Sequence, residues 1–215
     1  MTCQALVTLP EHDTETLYLS QWASEAVLEA TERGCEVKEL DGADATRANL
    51  EKFLKKQRPP FLFFNGHGND DAIFGHQDED LVKAGVNEGI LRDKIVYALA
   101  CMSAAKLGPA AIAAGTKAYI GYEERFAFVT SKNHECEPDE DKLANIFKEA
   151  SNEVPAALFK GATTKAAFER SQRKHTDLIR RHSTSDALPE WKDIRFWLFW
   201  NMKAQRLLGD PDATM

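Results

Sequence analysis

Two strongly apolar runs in this chain each end in a side chain that can do chemistry. Phe61-Leu62-Phe63-Phe64-Asn65-Gly66 leads into His67-Gly68, and Ile95-Val96-Tyr97-Ala98-Leu99-Ala100 leads into Cys101. A thiolate, unlike a thiol, attacks a carbonyl carbon well, and a free cysteine is only slightly ionised at neutral pH. A nearby imidazole takes that proton and later returns it to a leaving amine. Cys101 is thus the candidate nucleophile and His67 the candidate general base and acid, the chemistry of a cysteine peptidase. The competing reading is a small core cysteine and an unremarkable loop histidine. Gly68 lets the main chain approach a substrate closely. Its amide is the first candidate oxyanion donor, with the Cys101 amide second.

Those residues act together only if the elements carrying them are neighbours. Short apolar runs bounded by Pro and Gly read as buried parallel strands. Adjacent strands lie roughly 4.8 Å apart, so His67 and Cys101 would leave one sheet edge side by side. The pattern predicts strands over 2–9, 35–40, 61–66, 95–100 and 117–122, with helices over 15–33, from a cap at Asp44 or Thr46 to about 57, and over 103–114, and a short one near 87–93. Gly34 and Pro59-Pro60 stop the first two helices, and Gly108-Pro109 predicts a break or kink in the third. A helix directly after Cys101 would favour its thiolate. Residues 69–86 read as mostly polar loop, and 123–140 as a long irregular loop. Helix is expected from about 141 to 182 with a break near Gly161, and the aromatic run Trp191 to Trp200 is expected to pack into the core, with a partner or dimer surface as the second use. This βαβ succession predicts an α/β fold, a mostly parallel sheet with helices on both faces. Sites in such sheets gather beyond the carboxyl ends of the strands, where Asp13 also falls.

Composition narrows the function. A chain of 215 residues with 43% hydrophobic residues is expected to form a single domain, 1–215, with a real core. The formal charge of −7 disfavours nucleic acid as a direct partner. No apolar stretch approaches the ~20 residues of a membrane span, and no secretory signal is visible. Cys3, Cys35, Cys101 and Cys136 lack CxxC spacing and read as reduced thiols of a cytoplasmic protein.

With these blocks in place, the chain resembles the clan CD cysteine peptidases of caspase-like fold. Asn65-Gly66-His67-Gly68 is similar to the histidine block of gingipain-type peptidases. Ala98 to Ala105 is similar to the cysteine block of bacterial CHAT domains, and Leu207-Leu208-Gly209-Asp210-Pro211 to an ending shared by both groups. The 34-residue separation of His67 and Cys101 also suits them. The resemblance implies a three-layer sandwich with sheet order 2-1-3-4-5, a Cys-His dyad, and peptide-bond cleavage without metal or cofactor. It further implies a protein substrate and a regulated effector, triggered by an activating partner protein or by self-cleavage and sometimes serving antiviral defence.

The cysteine block departs from caspases, which carry Gln-Ala-Cys where this chain has Leu99-Ala100-Cys101. Aspartate specificity is therefore not expected, and metacaspases would need an acid at Leu99. The group builds its first specificity pocket from places that here hold Glu11, Asp13, Glu123 and Glu124. Such carboxylates would favour a Lys or Arg side chain; otherwise they are ordinary surface acids. Asp70 and Asp71 are further candidates, and Asn65 either steers the His67 ring or shapes the turn. His76 is a weaker dyad candidate. The acidic loop 135–141 lacks regular calcium-loop spacing, with Asp139 a possible helix cap, and His134 with Cys136 lacks the ligands to complete a zinc site. A non-catalytic interaction module on the same scaffold is the main alternative, and a flavodoxin-like binder, which has no GxGxxG here, is a third.

Overall fold

Alternation within each strand decides which way the core faces. Along Gln4–Leu9 (β1), Ala5, Val7 and Leu9 enter one apolar cluster while Leu6 enters the other. Phe61–Asn65 (β3) does the same, with Phe61 and Phe63 on one side and Leu62 and Phe64 on the other. A sheet apolar on both faces must be covered on both. The computed structural model describes residues 3–131, 137–183 and 190–215. One face is covered by α1 (Thr14–Glu32), α4 (Lys142–Ser151), α5 (Glu153–Phe159), α6 (Thr164–Arg181) and α7 (Trp191–Ala204); the other by α2 (Arg47–Lys56) and α3 (Leu107–Ala113). The remaining strands are β2 (Glu36–Asp41), β4 (Ala72–Phe74), β5 (Asp80–Lys83), β6 (Ile95–Leu99), β7 (Ala118–Tyr122) and β8 (Gln205–Gly209).

The main sheet runs β2-β1-β3-β6-β7-β8, parallel up to β7, with β8 antiparallel at the edge. With the separate β4–β5 hairpin set aside, its first five strands follow the expected 2-1-3-4-5 order. The helix caps follow side-chain chemistry. Asp13 caps α1 in a reciprocal box with Thr16, Thr46 caps α2, and the buried Asp141 caps α4 while accepting from the Tyr18 hydroxyl at 2.8 Å. Asp141, not Asp139, therefore caps α4.

Several expectations are corrected. Residues 72–83 form a hairpin, not a featureless loop; its strands are too short to show a period amid Asp and Gly. Only a 3₁₀ turn, Glu88–Leu91, stands where a short helix was expected. The tail is a strand, because Leu207 and Leu208 pair with Ile120 and Tyr119 of β7. Cys3 and Cys35 form a disulfide, not two reduced thiols. Each precedes a strand whose next residue is paired, Gln4 with Glu36. The pairing brings cysteines 32 residues apart to one place, which sequence spacing cannot show.

Candidate active site

The β3–β6 register sets the geometry. Asn65 pairs with Leu99, so His67 and Cys101 each lie two residues beyond a matched pair, at the carboxyl edge of the sheet. Gly66 turns the chain out at φ +124°, and a Cβ there would lie 2.8 Å from the Pro10 ring. Its amide donates to the Leu99 carbonyl at 3.3 Å. Gly68 seals the contact: a Cβ would come within 3.0 Å of the Cys101 carbonyl oxygen and 3.1 Å of Ala100 Cβ. The histidine loop is therefore packed directly onto the cysteine turn. Among the described residues, the amides of Gly68 and Cys101 donate to no backbone acceptor.

Asp13 meets this edge from the start of α1. One oxygen, Oδ1, accepts from the Thr16 amide and hydroxyl, both at 2.8 Å, while Oδ2 lies 2.6 Å from His67 Nε2. Burial raises the Asp13 pKa, but the Thr16 amide, His67 and the Thr16 hydroxyl outweigh it and hold it at about 2. An ionised carboxylate only accepts, so Nε2 carries the proton it donates to Asp13. In the neutral ring Nδ1 then keeps its lone pair, the form a general base needs.

Cys101 opens a run of tight turns, not a helix. Met102 has φ +57°, an uncommon conformation for a residue with a side chain, and α3 begins only at Leu107. Pro109 falls in the first turn of α3, where its missing amide hydrogen is tolerated, so Gly108-Pro109 starts that helix and does not break it. The expected helix-terminus effect on the thiolate is therefore absent. The turn is pinned by Met102 donating to the Glu124 carbonyl at 3.0 Å and Ala104 to that of Tyr122 at 2.9 Å. The thiol donates to the Phe126 carbonyl at 3.7 Å. Burial pushes its pKa up, and nearby Arg125 only partly offsets this. The resting group is a protonated thiol, and a nucleophilic role would require that proton to be removed.

The wall carrying Phe126 is held by α7. Asn201 donates to the Ala127 carbonyl at 2.6 Å and accepts from its amide at 3.0 Å, and Trp200 Nε1 donates to the Arg125 carbonyl at 2.8 Å. Expected to be core, the aromatic run instead divides by helical period: Ile194 and Leu198 are buried while Phe196 and Phe199 are more than half exposed. An open groove of about 440 Å³, lined by Thr14, Glu15, Phe126, Ala127, Phe128 and Thr130, joins the Asp13 side of the site to this wall. Other depressions lie against β2 and α2, one of them at the amino ends of β1 and β2.

The remaining sequence candidates fall as follows. Glu123 is ion-paired with Arg206, and Glu124 is exposed, its carbonyl holding Met102. Burial, with Asp41 nearby, raises the Glu11 pKa. Asp70 pairs with Lys106, and its carbonyl takes the Lys106 and Leu107 amides at the start of α3. The Asp71 carbonyl accepts from Ala84. Asn65 is buried and donates to the Thr8 carbonyl of β1 at 3.1 Å, so its amide group serves the sheet and not the His67 ring. His134 and Cys136, with residue 135 of the acidic loop, lie outside the described residues. Sequence reasoning missed His12 and Asp78, which lie beside His67. His12 is adjacent to Asp13, but no apolar strand points directly at Asp78.

No family model matches the chain, and no curated protein matches it either. Solved structures do. The crystal structure of the Arg-specific cysteine proteinase gingipain R superposes with a TM-score of 0.65 at 12% identity, over 100% of this chain and 48% of that one. The complex of the pro- and mature domains of RgpB from Porphyromonas gingivalis gives 0.62 at 10% identity, over 98% and 48%. The fold is the caspase-like fold of gingipain R. The chain spans about half the length of these solved chains. Among the described residues, no helix is long and apolar enough to cross a membrane.

Proposed function

We propose that this chain is a cysteine endopeptidase, with Cys101 as nucleophile, His67 as general base and acid, and Asp13 as the positioning residue for His67. The observation that carries the reading is the Asp13–His67 contact of 2.6 Å on a loop packed against the Cys101 carbonyl. His67 takes the Cys101 proton as sulfur attacks the peptide carbonyl and returns it to the departing amine. Water, activated by the same imidazole, then releases the acyl group. The amides of Gly68 and Cys101 are the donors for the oxyanion. Residues 1–215 form one peptidase domain in this reading, acting on a protein substrate.

Cleavage after a basic residue is part of the proposal. Glu15 in the groove and the exposed Glu124 supply negative charge, and a matched solved structure is named Arg-specific. Asp13 and Glu123, expected in that pocket, already have partners in His67 and Arg206, so they contribute field more than direct contact. Control by an activating partner is compatible with a thiol that rests protonated; the effector and antiviral setting has only the CHAT-like cysteine block behind it. A panel of fluorogenic peptides varied at the residue before the cut tests the reading. Hydrolysis should favour Lys or Arg and be abolished in Cys101→Ala. Undiminished hydrolysis by that variant would refute it.

A further inference from the structure

Beside the Asp13–His67 pair lies a group of ligand atoms that hydrolysis does not use. The His12 side chain is only 12% exposed, and both its ring nitrogens are buried without a hydrogen-bond partner. Buried polar atoms are normally satisfied, so an unpartnered imidazole facing carboxylates calls for a ligand. His12 Nε2 lies 3.4 Å from Asp78 Oδ1 and 3.7 Å from Asp13 Oδ2. His12, His67 and Asp78 each place one ligand atom within 4.8 Å of the others. Asp78 is held there by left-handed backbone at Gln77 and Asp78, φ +52° and +59°. The His76 ring packs 5.7 Å from that of His12, and its Nδ1 is also buried without a partner.

We propose that His12, His67 and Asp78 bind a zinc-type divalent cation that inhibits hydrolysis by occupying His67. The inhibitory half rests on the function proposed above; the site itself does not. Two imidazoles and a carboxylate form a donor set suited to zinc. Tetrahedral zinc with bonds of about 2.0–2.2 Å separates its ligand atoms by roughly 3.3–3.6 Å. The His12–Asp78 spacing meets this, and small side-chain movements bring His67 into the shell. Asp13, already on His67 Nε2, supplies outer-shell support for His67 when that ring coordinates through Nδ1. Coordination through either nitrogen leaves the other as an N–H donor in the neutral ring. No lone pair then remains on His67 for the Cys101 proton.

The test uses the full chain carrying Cys101→Ala, which removes the Cys101 thiol as a rival ligand. Zinc chloride, titrated against a chromophoric chelator, should bind at one equivalent. Affinity should fall at least about tenfold when His12→Gln or the surface change Asp78→Asn is added, with circular dichroism confirming the fold of each. Absence of binding, or equal binding by all three proteins, overturns the site. In the Cys101-containing protein, the zinc concentration giving half-inhibition should rise at least about tenfold in Asp78→Asn, each rate being referred to its own zinc-free value. Hydrolysis inhibited equally in both overturns the inhibitory claim. Zinc bound through these residues in a protein without peptidase activity would sustain the site and refute only the function.

Discussion

At the residue scale, the site is a division of labour set by protonation. Asp13 is ionised over the whole physiological range, its pKa held at about 2, so it orients His67 without titrating. Asp13→Asn keeps a good helix cap but loses the charge that fixes the ring tautomer. Peptidase activity should fall roughly 10–100-fold, the range typical of orienting partners. His67→Ala should lose roughly 10²–10⁴-fold, the usual share of general acid–base catalysis. Kinetics of both variants on one fluorogenic peptide check this order. The Asp13 pKa also sets an acid limb of stability. Its folded value lies below the ordinary 3.8, so the stabilisation is present above that value and lost as pH falls towards about 2. Acid unfolding followed by circular dichroism should therefore show a loss over this window that Asp13→Asn lacks.

At the element scale, the strands were the legible part. Apolar runs named β3 and β6, and their shared register carries His67 and Cys101 to one edge. What stayed hidden depends on contacts between segments remote in sequence. Asp13 reads as a pocket acid because its ring partner, His67, lies far off in sequence and meets it only in three dimensions. The β4–β5 hairpin and β8 are short or lie at an edge, where pairing and not periodicity makes the strand. The turn after Cys101 looked helical because alanine-rich sequence favours helix, yet ties to Glu124 and Tyr122 outweigh that preference. The disulfide joins two segments for the same reason that β1 pairs with β2. Cys3→Ser with Cys35→Ser should lower stability by about 2–4 kcal/mol, measured by urea unfolding with and without reductant. On β3, Phe63 is fully buried and stacks on Tyr97 at a 5.0 Å centroid distance. Phe63→Ala should cost about 3–5 kcal/mol by the same measurement.

At the scale of the whole molecule, the sheet brings His67 and Cys101 to one edge while the helical layer behind it sets a pH limit. His175 in α6 is 1% exposed, its Nδ1 2.9 Å from the Ser171 carbonyl. Burial lowers its pKa from 6.5 to about 4, offset only in part by Ser171. The folded ring stays neutral while the unfolded ring takes a proton, so this stability is full above 6.5 and is lost as pH falls towards 4. The loss amounts to roughly 3 kcal/mol. Urea midpoints at neutral pH and near pH 4 should differ less in His175→Gln than in the parent chain. Activity assays at acid pH must be read against this unfolding as well as against protonation of the site.

In the proposed reaction Cys101, assisted by His67, attacks a peptide carbonyl. A peptidyl chloromethyl ketone with a terminal lysine places its electrophile where that carbonyl would lie. After incubation at neutral pH, intact mass and peptide mapping should find one adduct, on Cys101, formed far more slowly in His67→Ala. An adduct on another residue, or labelling of Cys101 at the same rate without His67, would contradict the account.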